Sequence, residues 1–223
     1  MDESPQARHA RVAAWSYETE AVASLLTGAH ASLRAPTADM VMLWPFLVSA
    51  SAAVEKLLKL AALSMAGTAP AEIKGHATSA IDDAIWAHAH RVALPGIATQ
   101  AVAQQQQNEH WRPLREMLEG YALGRRFTYL DEIRGEPQHR PSPMHMWNDF
   151  ENAVVNTTPE LVAARGLFAN GEDDGTVFNA ARRSAVGEVL HTWTHAVLSL
   201  GEGGLLGSDA GIWFGQVRLG LKR

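Results

Sequence analysis

Residues 49–67, SASAAVEKLLKLAALSMAG, repeat apolar side chains at the pitch of an α-helix. At 100° per residue, Leu47, Ala50, Val54, Leu58, Ala61 and Met65 fall on one stripe, and Leu57 widens it. Glu55, Lys56 and Lys59 fall on the other side. A strand would need apolar residues at every second position, and the segment has no such alternation. Gly67 supplies the residue type that most often follows a helix C-terminus, because it enters the left-handed region without a steric penalty. The spacing therefore predicts a core helix with a Glu55–Lys59 ion pair on its outer face, worth about 0.3 kcal/mol in an isolated helix.

The same period runs through most of the chain. It predicts helices over about 6–32, 37–66, 76–92, 97–109, 111–123, 146–155, 159–165 and 176–200. Thr37 is a suitable N-cap for the second of these, and Pro45 predicts a kink or a restart within it, since proline lacks the backbone donor and crowds the preceding turn. Residues 124–145, punctuated by glycine and prolines, read as one long inserted loop. Residues 208–223 are ambiguous and fit a strand pair or a loose arm. No internal repeat or low-complexity linker divides the chain, so the expected fold is an all-α single-domain helical bundle over 1–207 with a C-terminal tail.

Composition narrows the chemistry. The chain has 47% hydrophobic residues, enough for a substantial core, and no cysteine, which excludes disulfides, a thiolate nucleophile and cysteine-ligated zinc. A net charge of −5 offers no overall attraction for nucleic acid or an anionic membrane. The polar N-terminal segment lacks the apolar core of a signal peptide. The apolar run from Met40 to Met65 is broken by Pro45, Glu55, Lys56 and Lys59, so it is no membrane span. A soluble cytoplasmic protein is expected. GEGGLLG follows a helix and lacks the Lys-Ser/Thr of a phosphate loop, no Gly-x-Ser-x-Gly elbow occurs, and no cofactor is expected.

The EKLLK helix, a short loop, Gly75–His76 opening the next helix and the later segment RRFTYL together resemble HEPN-domain proteins. The resemblance covers Ala50 to Trp86, with an echo at Gly124 to Gly135. It implies a dimeric helical bundle associated with RNA or nucleotides in bacterial stress, toxin–antitoxin and defence systems. In active members it implies metal-independent RNA cleavage by an Arg-x(4–6)-His motif on a late helix. Arg stabilises charge developing on the phosphate while His moves the 2′-hydroxyl proton. Arg134–His139 and Arg140–His145 match that spacing in the predicted loop, whereas Arg183 and His191 on the final helix stand eight positions apart. Arg140 and His145 are the expected catalytic pair. Arg125, Arg126 and Lys59 are the expected phosphate contacts, Phe127 and Tyr129 being placed to stack on bases.

Ten histidines open a second reading. Glu188, His191 and His195 lie within about 60° of one another on the final helix, and an i,i+4 His pair can share one metal ion. The segment is similar to DinB-type helical proteins, which implies a third histidine from another helix, His30 or His76. Against this, Val186, Leu190, Trp193 and Val197 define an apolar face on the opposite side, so the stripe is expected to face water or a partner chain. In IDDAIWAHAH, His88 shares a face with Ile81 and Ile85 and is expected to be partly buried with one hydrogen bond. A third reading is a non-catalytic module that binds a partner protein.

Overall fold

The computed structural model describes residues 4–35, 39–65, 78–124, 133–134 and 141–222. Among them the only regular secondary structure is helical: α1 (Pro5–Arg34), α2 (Asp39–Ser64), α3 (Thr78–Ala89), α4 (Gly96–Gln106), α5 (Trp111–Ala122), α6 (Pro143–Thr157), α7 (Pro159–Ala169), α8 (Thr176–Glu202) and α9 (Ala210–Gly220). Thr37, Gly67 and His76 lie outside the described residues.

Helix starts follow local chemistry. Ser4 accepts a hydrogen bond from the Ala7 amide and Pro5 occupies the first turn of α1; Ser142 and Pro143 do the same for α6, with the His145 amide as donor. Each pair satisfies an orphan amide and presets φ for the first turn. At α8, Gly175 adopts φ +89°, and Asp174 and Asp173 accept from the Thr176 and Phe178 amides. Pro45 does not restart α2. It sits exposed in a continuous helix, so one lost backbone bond on the solvent side is tolerated where burial of the other face is dense.

That burial is as the periodicity predicts. Leu47, Ala50, Val54, Leu57, Leu58, Ala61 and Met65 are all buried, and α2 packs against α1, α3 and α5. Lys59 Nζ pairs with Glu55 at 2.6 Å on its outer side. The long helix α8 is the axis of the molecule. Its Val186, Leu190, Trp193 and Val197 are fully buried, and α1, α4, α5, α6, α7 and α9 pack around it.

The C-terminal segment is neither a strand pair nor a loose arm. It forms α9, whose Ala210, Phe214 and Val217 join the single hydrophobic core and whose contacts are with α1 and α8. The close approach is made by glycine: a Cβ at Gly201 would lie 2.3 Å from Phe214 Cγ, and one at Gly220 would lie 2.6 Å from Ala23 Cβ. Trp15 stacks on Trp213 with ring centres 5.5 Å apart, and Thr19 donates to Gln216 across 197 positions of sequence.

One polar hub ties three helices together. The Asp82 carboxylate on α3 is buried and accepts from the indole N–H groups of Trp86, Trp111 and Trp193 at 2.9 Å each. Arg115 donates to it at 2.8 Å and to exposed Asp83 at 2.8 Å. Burial disfavours the Arg115 charge, yet the hydrogen bonds it donates to Asp83 and Asp82 outweigh it and hold the guanidinium pKa above its usual value. Trp111 and Trp193 stack at 4.3 Å between ring centres. The hub thus fixes the start of α5 against the middle of α8.

Candidate functional site

That junction forms one wall of an open cleft of about 610 Å³, a size that suits a small organic ligand. Gln104, Gln107, Asn108 and His110 line it from the end of α4 and the turn before α5. Glu188, His191, Thr192 and His195 line it from α8, and Val154 and Thr158 close it from the α6–α7 junction. Asn108 is held by its side-chain amide, which donates to the Val189 carbonyl at 3.0 Å and to Gln105 Oε1 at 2.9 Å. His110 Nε2 lies 2.7 Å from Thr157 Oγ1, so its ring is oriented by a neighbouring helix.

The polar stripe of α8 is not left to water throughout. Glu188 and His191 are exposed, but His195 is half-buried because α9 reaches across the helix there. On the other flank α1 brings His30 over Gly187. The His30 and His191 rings meet edge to face at 6.3 Å, and those of His191 and His195 lie 6.1 Å apart. Burial lowers the His30 pKa from the usual imidazole value, with His191 and Arg34 adding to the effect and Glu188 opposing it. Burial also lowers that of His195, reinforced by Arg218 and His191 and opposed by Glu202. Both rings are therefore biased toward the neutral form near pH 7, the state from which imidazole accepts a proton.

The expected metal set is only half assembled. Of the two third-ligand options, His30 comes beside His191 while His76 lies outside the described residues. Among the described residues, no group of three or more His, Asp or Glu side chains is placed to hold a metal ion.

Of the expected catalytic pair only His145 is among the described residues, and it does not line this cleft. His145 lies in the first turn of α6 rather than in a loop, with its side chain 67% exposed and 3.4 Å from Asp149. Arg140, Arg125 and Arg126 lie outside the described residues. Lys59 is on α2, held by Glu55. His88 behaves as its position on α3 predicts: it is half-buried, and its Nε2 lies 2.9 Å from the Leu205 carbonyl. Sequence reasoning missed Asn108 and His110. They sit in the turn after Gln106, where the helix ends short of the predicted 109, and their partners are 81 and 47 positions away.

Compared with known protein families, with characterised proteins and with solved structures, this chain matches none. No described helix is long and apolar enough to cross a membrane.

Proposed function

We propose that this is a HEPN-like protein that associates with RNA or nucleotides in a bacterial stress or defence system, and that its ligand occupies the cleft beside α8. The observation that carries this reading is the convergence of His110, His191 and His195 with the amides of Gln104, Gln107 and Asn108 around one nucleotide-sized cleft. Amide side chains offer paired donors and acceptors to base edges. Histidines supply proton transfer at neutral pH without a metal. Metal-independent ribonuclease action follows: one imidazole accepts the 2′-hydroxyl proton, the 2′-oxygen attacks phosphorus, and a second, protonated imidazole delivers a proton to the departing 5′-oxygen. His195, biased toward the neutral form, is the candidate base. A cytoplasmic homodimer belongs to the same reading, as does Arg140 with His145 as the competing catalytic pair.

The test is RNA cleavage in EDTA by the purified protein, set beside His191→Ala, His195→Ala, Arg140→Ala and His145→Ala. Loss of cleavage confined to His191→Ala and His195→Ala is the expected result. Loss confined to the second pair would move the reaction to the start of α6. A wild type that neither cleaves nor binds RNA or nucleotides would overturn the reading.

A further inference from the structure

We propose that His30, His191 and His195 form a phosphate-binding site on the seam between α1 and α8. This deepens the nucleotide reading above, since it assigns the part of the ligand that would sit at the end of the cleft.

A tetrahedral zinc ion about 2.0–2.1 Å from each ring nitrogen would draw two imidazole centres to roughly 5 Å. Here they stand 6.3 and 6.1 Å apart. An oxyanion takes imidazole N–H groups on different oxygens at about 2.7–2.9 Å, which sets the ring centres roughly 6 Å apart or more. Both ring pairs that share His191 are thus spread more for an anion of phosphate size than for a single zinc ion.

The charges around them point the same way. On α1 the neighbouring charge is Arg34; from α9 Arg218 faces His195. From α8 come Glu188 and Glu202, and His110 looks into the same cleft from the turn before α5. Arg218 is anchored by Glu202 at 2.7 Å and donates to Ser199 at 3.0 Å, so its position is set. The two guanidiniums oppose a bound cation. They favour an anion, whose arrival would let the imidazoles take up protons. Glu188 is the one opposing carboxylate on the exposed side, hydrogen-bonded to Thr192 at 3.4 Å.

Proton uptake fixes the sign of the pH dependence. Phosphate affinity falls as pH rises through the imidazole range, whereas metal affinity rises, because ligation needs the deprotonated ring. The experiment titrates inorganic phosphate, and separately a nucleoside monophosphate, into the full chain in EDTA while following the histidine ring resonances at several pH values. Phosphate alone is expected to shift the His30, His191 and His195 signals and to raise the apparent pKa of His30 and His195 from their lowered values. His191→Gln should weaken binding roughly tenfold, the loss of one charge-assisted hydrogen bond. Glu188→Gln should tighten it. Both changes are at exposed positions and leave the fold intact.

Phosphate that leaves these three resonances unmoved overturns the proposal, as does zinc binding that strengthens with pH and weakens in Glu188→Gln. The nucleotide reading is judged separately. A nucleotide that binds through Asn108 and His110 without disturbing the three rings would keep that reading and sink the phosphate site. Phosphate binding without nucleotide binding would do the reverse.

Discussion

Replacing Asp82 by alanine removes an acceptor that four donors share. Trp111 and Trp193 are both buried, and their indole N–H groups would have no acceptor in place of the carboxylate. A buried donor left unsatisfied costs about 1–3 kcal/mol. Arg115 would keep Asp83, but that partner is 71% exposed and screened by solvent, so removing one side of the buried pair adds to the loss. These effects overlap because the four donors surround one group, and about 4–6 kcal/mol is the expected total. That is a large part of the about 5–15 kcal/mol available to a typical domain. Asp82→Asn keeps the shape but turns an amide N–H₂ toward two of the donors, and should cost about 2–4 kcal/mol. Urea unfolding followed by far-ultraviolet circular dichroism measures both, with Asp83→Asn, expected below about 1 kcal/mol, as the control. If Asp82→Ala lies within 1 kcal/mol of wild type, the carboxylate does not hold the three helices together and the reasoning fails.

Two further outcomes follow from packing and titration. Gly201→Ala would place a Cβ 2.3 Å from Phe214 and should loosen α9 from α8, costing about 1–3 kcal/mol; hydrogen exchange of the α9 amides should rise more than that of α2. His30 and His195 have folded-state pKa values below the usual 6.5, so the unfolded chain binds more protons in that range. Their contribution is complete above about pH 6.5 and is lost as pH falls toward their folded values. Melting temperature should therefore drop on mild acidification, and a His30→Gln, His195→Gln double variant should show a shallower dependence.

The α2 stripe and the apolar face of α8 were legible because burial there depends on residues three and four apart in the chain. Local spacing could also place His88. It could not single out Asp82, although the wheel sets that carboxylate among buried Ile81, Ile85 and Ala89 with Trp86 four positions on. The decisive partners, Trp111 and Trp193, are 29 and 111 positions away. The C-terminal helix was obscured by Gly211, Gly215 and Gly220 and by IWFGQV, whose bulky residues also suit a strand. Packing against α1 and α8 decides the matter. Of the candidate site, Glu188, His191 and His195 were visible as one stripe. Which histidine of another helix would join them was not, since helix-to-helix neighbours leave no local pattern. His195 departs from the exposure expected of the whole stripe because the C-terminal segment folds as α9 and packs across it.

The stacking of Trp15 on Trp213 and the Thr19–Gln216 bond have a consequence for synthesis. The α1–α2 pair can associate as soon as both have been made, but the face of α1 that carries Thr19 and Ala23 must wait for α9. At translation rates of about 5–20 residues per second, a separation of 197 residues is a delay of roughly 10–40 s. During that interval the nascent chain presents an uncovered apolar strip to chaperones and to neighbouring chains on the same message. Slowing elongation before residue 210 should lengthen that exposure and lower the yield of native protein.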